Sequence, residues 1–481
     1  MIDHSLSCMV QDRHNGTQAL TTTRPPCAIV RRGSPAALAQ RGLRVQPFKK
    51  GPDYIDPMWL TKAAGRNCHN LDFYTQGRHE ILSTFARHME TADVGLVEGN
   101  KGLYDGLDLD GSNSNAALAA LLAAPVVLVL DARGMTRGIA PLVLGYQAFD
   151  HNIRIAGVIL NKVGGKRHEA KLRAILQHYT DVEVLGAVHQ DSGLVIHERH
   201  LGLIPSNESG RADEKIRHIA DAIASQVDID GLLRIAAQAA IQPLPSRANE
   251  TPVFPEPDVR VGVARDSAFG FYYPGDLEAL RAAGAELILF NTLSDTHLPK
   301  VDALFIGGGF PETHMQQLES NQNLRREIRT AIDGGMPVYA ECGGLMYLAR
   351  AITWNDKTCD MVGALPAEIT MHARPQGRGY IRLRETGKGL WPLAEEAGSE
   401  IFGHEFHYSR LDHLDATLEF AYEVTRGTGI DGRHDGIVYK NLQANYAHLR
   451  DVEGNHWAQR FVAFVRHVMQ AHAAGADAQP S

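Results

Sequence analysis

The sequence predicts an α/β protein of two doubly wound parallel-sheet domains. Three observations carry that prediction. From about residue 43 to 240, short β-branched runs alternate with helical stretches. A proline-dense segment, 241–258, then breaks the pattern with Pro243, Pro245, Pro252, Pro255 and Pro257. The alternation resumes at Val259. Strand–helix alternation is the pattern of a parallel sheet covered by helices on both faces. Clustered prolines mark an extended linker.

Taken in order, residues 1–27 are polar and irregular, and a disordered N-terminus is expected there. The first domain is set at 28–240, with strands at Leu43–Phe48, Val94–Val97, Val126–Leu130, Ile155–Leu160 and Val184–Val188. Asn115–Ala123 and Ala170–His178 read as helices between them. The linker is 241–258 and the second domain 259–470, with strands near Arg260–Ala264, Leu287–Phe290, Ala303–Ile306 and Met336–Ala340. Residues 471–481 are small and polar and are expected to be disordered.

Composition narrows the class. The chain has 481 residues, 44% hydrophobic and 22% charged, as in an ordinary globular protein. A net charge of −8 gives no basic footprint for nucleic acid. No apolar run reaches the roughly 18–20 residues of a membrane span, and no signal-peptide core opens the chain. The five cysteines lack CxxC spacing, so a reducing cytoplasm is expected rather than disulfides or a structural zinc. A homodimer is compatible with the sequence but not dictated by it.

The strongest chemical signal is Val338-Tyr339-Ala340-Glu341-Cys342-Gly343-Gly344-Leu345. An apolar strand runs into a cysteine, two glycines and an apolar helix, the layout of a nucleophile elbow. A helix start favours a thiolate and can hold a developing oxyanion. Phe305-Ile306-Gly307-Gly308-Gly309 ends another strand in glycines whose N–H groups can approach an anionic oxygen. A catalytic thiol needs a histidine base. His448 is one candidate; His404 and His407 of the run Gly403–Ser409 could equally be structural or line a domain interface.

In the first domain, residues 43–58 read LRVQPFKKGPDYIDPM and 93–106 read DVGLVEGNKGLYDG. Each strand ends in charged residues and a turn: Lys49, Lys50, Asp53 and Asp56 in one, Glu98 and Asp105 in the other. Carboxylates at the C-terminal ends of parallel strands occupy the usual site of an open α/β sheet. Such oxygen ligands suit Mg²⁺ bound to nucleotide phosphates.

The runs GGGFPE, AECGGLMYL, GHEFHYS and NYAHL resemble the class I glutamine amidotransferase domain of the cobyrinic acid a,c-diamide synthase family. QPFK-x-GPDYIDP, Asn70-Leu71-Asp72, EG-x-x-GLYDG and ERHLGL resemble its synthetase domain, an ATP-binding fold related to dethiobiotin synthetase. Together the resemblance covers about residues 40–465. It implies a flavodoxin-like second domain and a P-loop-NTPase-like first one. It implies ATP- and glutamine-dependent amidation of the a- and c-acetate side chains of a tetrapyrrole carboxylate through an acyl phosphate. Cys342 would be nucleophile and His448 base, with the Gly308 and Gly343 N–H groups at the oxyanion hole. Asp53 and Glu98 would be Mg²⁺ or catalytic acids, and Lys49 would face phosphate. Tyr54, Asp56 and Asp105 would position the substrate, and Asn161 would contact adenine.

The sequence departs from the family in two places, and shares with this branch of the family a third departure from other class I glutaminases. The position two after His448, where many class I glutaminases carry Glu, is Arg450, so no residue is assigned to orient the histidine. Asn100 and Lys101 replace the usual Val-Met of EGVMGLYDG, which leaves sirohaem and nickel-sirohydrochlorin as alternative substrates. The P-loop pattern G-x-x-x-x-G-K-[ST] is absent. Cys27–Val30 reads as a remnant first strand and Pro35–Arg41 as the end of the first helix, with Arg31-Arg32-Gly33-Ser34 as the shrunken loop between them. The alternative reading is therefore an ATP-deficient or non-catalytic member of the family.

Overall fold

The computed structural model describes residues 6–12, 28–194, 198–199, 202–203, 205–208, 210–239, 254–392, 400–415 and 417–477. The chain divides into two compact units, Met1–Thr251 and Pro252–Ser481. Cys27, most of the proline-rich linker and residues 478–481 lie outside the described residues.

The first unit is built on strands β1 (Leu6–Asp12), β2 (Val45–Lys50), β3 (His69–Leu71), β4 (Val94–Glu98), β5 (Val126–Asp131), β6 (Ile155–Val163) and β7 (Glu183–His189), with a short pair β8 (Glu198–Arg199) and β9 (Gly202–Leu203). Its helices are α1 (Ala28–Gln40), α2 (Ile55–Ala64), α3 (Arg78–Met89), α4 (Asn115–Leu121), α5 (Ile139–Phe149), α6 (Lys166–Tyr179), α7 (Ala212–Gln226) and α8 (Ile229–Ala236). Seven strands form one parallel sheet in the order β3-β2-β4-β1-β5-β6-β7. Strand alternation splits β5 between two cores. Val127 and Val129 pack with the α1, α7 and α8 side, whereas Val126, Leu128 and Leu130 pack with the α3–α6 side. Both faces are therefore buried, as the near-continuous apolar strands require.

Two expectations for the N-terminus are corrected. Residues 1–27 are not wholly irregular, because Leu6–Asp12 is a strand at the centre of the sheet. It pairs with β4 from Leu6↔Val94 to Val10↔Glu98 and with β5 from Met9↔Val126 to Asp12↔Val129. Without it, β4 and β5 would face each other across an unpaired gap. The first strand is also not at Cys27–Val30, since Ala28–Gln40 is one helix that takes in Arg31–Ser34. Small residues explain that helix: a Cβ on Gly33 would lie 2.4 Å from Ile223 Cγ1 of α7, and Ser34, Ala36 and Ala37 are buried. The position a P-loop would occupy, between β1 and α1, falls on residues 13–27, RHNGTQALTTTRPPC, which hold one glycine and no lysine.

The second unit opens with β10 (Val259–Ala264), β11 (Phe269–Phe271), α9 (Pro274–Ala282), β12 (Ala285–Phe290), β13 (Ala303–Ile306), β14 (Gly308–Gly309), α10 (Met315–Ser320) and α11 (Gln322–Asp333). It continues with β15 (Val338–Glu341), α12 (Gly343–Leu348), β16 (Ala351–Trp354), β17 (Lys357–Asp360), β18 (Glu368–Met371), β19 (Gly377–Glu385), β20 (Glu400–His407) and β21 (Ser409–Asp412). It ends with β22 (Glu419–Arg426), β23 (His434–Tyr439), β24 (Leu442–Asn445) and α13 (Trp457–Asp477). The main sheet runs β12-β10-β13-β15-β24-β23-β22-β19-β20. Its β12-to-β24 half is parallel, as expected, and the remainder is antiparallel. That antiparallel half was not foreseen; strands such as Gly377–Glu385, which alternate charged and apolar residues, have one face toward water. The expected disordered tail is also corrected, because α13 continues to Asp477.

The β1 assignment is testable. Proline at Met9 removes a ladder hydrogen bond from a central strand. We expect Met9→Pro to raise deuterium uptake at β4 and β5 and leave β15 and β24 unchanged. Equal uptake at β4 and β5 would place Leu6–Asp12 outside the sheet.

Candidate active site

In the second unit, three neighbouring parallel strands end at one edge. β13 leads into Gly307–Gly309, β15 into Cys342, and β24 into Tyr446-Ala447-His448. Cys342 has φ 46° and ψ −102°, a strained conformation for a residue with a side chain. It is held by its N–H, which donates to Asn445 O at 2.7 Å, and by its C=O, which accepts from Met346 N at 3.0 Å. The glycines are required by close approach: a Cβ on Gly344 would lie 2.0 Å from Ile306 O, and one on Gly343 2.8 Å from Gly309 N.

His448 reaches the same place from β24. Asp435 accepts the N–H groups of Tyr446 at 2.9 Å and Ala447 at 2.8 Å, and His448 N donates to His404 O at 2.8 Å. The ring's Nδ1 lies 3.3 Å from Glu341 Oε2. Burial alone would lower its pKa, but interaction with Cys342 and Glu341, through hydrogen bonding and charge together, outweighs it and raises the pKa to about 10. His404 stacks on this ring at 4.9 Å between centroids, and burial, followed by the charges of His448 and Arg450, pushes its pKa well down. A Cβ on Gly308 would sit 2.6 Å from His448 Cε1.

Cys342, His448, Gly308 and Gly343 are thus brought together. His407 is not part of the group: it stacks on Tyr446 at 3.8 Å, with Nδ1 2.8 Å from Ser409 O. Sequence reasoning missed Glu341. The available signal was a carboxylate closing an otherwise apolar strand, next to the nucleophile.

The first unit holds a second buried cluster. β2 and β4 pair with Lys49 opposite Glu98. Lys49 Nζ lies 2.8 Å from Glu98 Oε1, 2.6 Å from Asp56 Oδ2 and 3.6 Å from Asp53 Oδ2. The lysine is only 2% exposed, and so buried an ammonium requires carboxylates around it. Instead of facing an open phosphate position, Lys49 is directed at these acids. Three carboxylates against one ammonium leave a surplus of two negative charges, which fits a divalent cation. Asp53 also accepts the Ile55 and Asp56 N–H groups at the start of α2, where Tyr54 is buried. Asp105 accepts Gly102 N–H at 2.9 Å within its own turn. Asn161, buried near the end of β6, accepts Lys162 N–H at 3.0 Å. Asp105 and Asn161 are therefore not drawn into the Lys49 cluster by any of these bonds.

Comparison with known proteins agrees with this division. Residues 260–454 match the CobB/CobQ-like glutamine amidotransferase domain, and residues 72–197 match an AAA domain. A cobyrinate a,c-diamide synthase of Magnetococcus marinus is 47% identical over 438 residues, which cover 90% of this chain and 93% of that protein. The chain belongs to the cobyrinate a,c-diamide synthase family. Proteins of the same name from Methanosarcina acetivorans (40% identical, 87% of this chain, 89% of theirs) and Archaeoglobus fulgidus (42%, 88% and 92%) agree. As a cobyrinate a,c-diamide synthase family member, the chain is a carbon–nitrogen ligase that uses glutamine as nitrogen donor. The AAA match begins at Asp72, after residues 13–27, whose sequence carries no P-loop pattern. Among the described residues, no helix is long and apolar enough to cross a membrane.

The raised pKa of His448 has a pH signature. A histidine whose folded pKa exceeds its unfolded value stabilises the fold fully below about 6.5, and that contribution is lost as pH rises through about 10. We expect the stability difference between the parent and His448→Gln, from urea unfolding, to favour the parent at pH 6 and shrink steadily toward pH 10. A difference independent of pH would show that no imidazolium is stabilised.

Proposed function

We propose that the chain amidates the a- and c-acetate side chains of cobyrinic acid with ammonia taken from glutamine. The observation that carries this reading is Cys342 on a strained strand-to-helix turn, with the buried His448 brought to the same edge and its Nδ1 3.3 Å from Glu341, the residue before the cysteine. Cys342 Sγ attacks the side-chain amide carbon of glutamine. The Gly308 and Gly343 N–H groups receive the oxyanion, the C–N bond breaks, and His448 returns its proton to the departing ammonia. Water then releases glutamate from the thioester. In the first unit, ATP transfers its γ-phosphoryl group to a substrate carboxylate, and ammonia displaces phosphate from the acyl phosphate. Asn161 serves ATP, Tyr54, Asp56 and Asp105 serve the macrocycle, and Lys49 holds the carboxylates of Asp53, Asp56 and Glu98 together. Mg²⁺ would neutralise the triphosphate, with Asp53 and Glu98 as the residues to hold it, consistent with the surplus negative charge around Lys49. The relatives named for cobyrinate support that macrocycle over sirohaem or nickel-sirohydrochlorin. The free thiols Cys68, Cys342 and Cys359 suit a reducing cytoplasm.

Cys342→Ser should abolish glutamine hydrolysis and spare amidation driven by added ammonia. Continued glutamine turnover in that variant would remove Cys342 from the mechanism.

The missing P-loop gives a separate expectation. Losing two charge-assisted hydrogen bonds to phosphate, at about 1.5 kcal/mol each, weakens binding about 100-fold. Calorimetric titration should therefore find MgATP bound about 100-fold more weakly than by a relative that carries the loop. Equal affinities would show that another segment cradles the phosphates.

A further inference from the structure

We propose that Glu341, the residue directly before the nucleophile, positions His448 and so completes a Cys–His–Glu relay from within the elbow strand. This rests on the glutaminase reading above. The position two residues after the histidine cannot serve, because Arg450 is cationic and its guanidinium lies 4.8 Å over the Tyr273 ring.

The two oxygens of Glu341 have separate tasks. Oε1 accepts the Leu449 N–H at 3.0 Å and the Tyr339 hydroxyl at 2.6 Å. The Tyr339 hydroxyl in turn accepts from Asn445 Nδ2 at 3.1 Å. With Oε1 fixed in this way, Oε2 faces His448 Nδ1 at 3.3 Å, and both residues are buried. Tyr339 is itself clamped among Phe305, Trp391 and Trp457, with ring centroids 5.4, 4.9 and 4.8 Å away. The carboxylate thus sits on a support that packing holds rigid.

The other charged or titratable groups facing His448 do not compete for this role. Cys342 is the proton donor. His404 stacks on the ring and directs its own Nδ1 to the Tyr273 hydroxyl at 3.3 Å. Arg450 carries no acceptor.

With Nδ1–H given to Glu341, Nε2 is the nitrogen that remains to take the thiol proton. The carboxylate fixes that tautomer and stabilises the imidazolium formed when the proton moves from Sγ to Nε2. The proton then leaves with ammonia.

Glu341→Gln separates positioning from support. The Gln carbonyl can still accept from Leu449 and Tyr339, but its NH₂ faces Nδ1 and favours the wrong tautomer. We expect kcat for glutamine hydrolysis to fall about 10²–10⁴-fold with KM for glutamine little changed. The pH of half-maximal Cys342 alkylation by iodoacetamide should also move upward. A kcat within about threefold of the parent and an unchanged alkylation profile would overturn the proposal. Retained hydrolysis in Cys342→Ser would instead overturn the reading beneath it. Should Glu341→Gln fail to fold, the parent protein decides by proton NMR. A downfield imidazole N–H resonance that vanishes in His448→Gln is expected, and its absence from the parent refutes the assignment.

Discussion

The parallel pairing of β15 with β24 is the constraint on which the second unit's chemistry depends. Its register sets Glu341 opposite Asn445, so both strands end at one edge of the sheet. The first backbone bond after that edge, Cys342 N–H to Asn445 O, ties the strained elbow to the strand that delivers His448. A slip of one residue would displace the histidine about 3.3 Å along the strand, more than a hydrogen bond tolerates. Asp435 guards against such a slip by accepting the N–H groups of Gly436, Tyr446 and Ala447. Burial raises the pKa of Asp435 to about 6 despite those three bonds, which shows how dry the anchor is.

The first unit applies the same geometry to a different electrostatic problem. Lys49 and Glu98 also face each other near the ends of adjacent parallel strands. Around Lys49, however, three carboxylates surround one ammonium, a cluster with a net negative balance to offer a cation. Around His448 the charge is mobile, because an imidazole lies between a thiol and a carboxylate. One arrangement suits phosphate chemistry assisted by a cation, and the other suits shuttling a proton to a leaving group.

What could be read from the sequence followed from how local each signal is. The elbow at Cys342 was legible because strand, cysteine and glycines are contiguous, and the Gly344 contact with Ile306 O explains why no side chain is tolerated there. His448 was legible only through the family resemblance, since its partner is brought by strand pairing and not by spacing. Glu341 was passed over because a carboxylate beside a nucleophile reads as one more polar residue until the fold shows Tyr339 and Leu449 holding it. The central strand Leu6–Asp12 was missed because its short apolar run sits among polar residues. The glycine-rich turn that ordinarily follows such a strand is also absent.

That last point separates what a fold needs from what a site needs. A central strand is recruited through its backbone, and any extended segment of moderate apolarity can complete the ladder between β4 and β5. A phosphate cradle is less permissive. It requires glycines that can adopt left-handed conformations and expose consecutive N–H groups, and a lysine at a set distance beyond them. Residues 13–27 carry one glycine and no lysine, so this stretch lacks the residue types from which an anion nest is built. The glutaminase unit shows the converse. Its strained cysteine, its glycine contacts and its relay each depend on particular side chains, and all are present. Completeness of a fold is therefore weak ground for inferring activity in the first unit, whereas in the second the strain at Cys342 is itself a sign that a function maintains it.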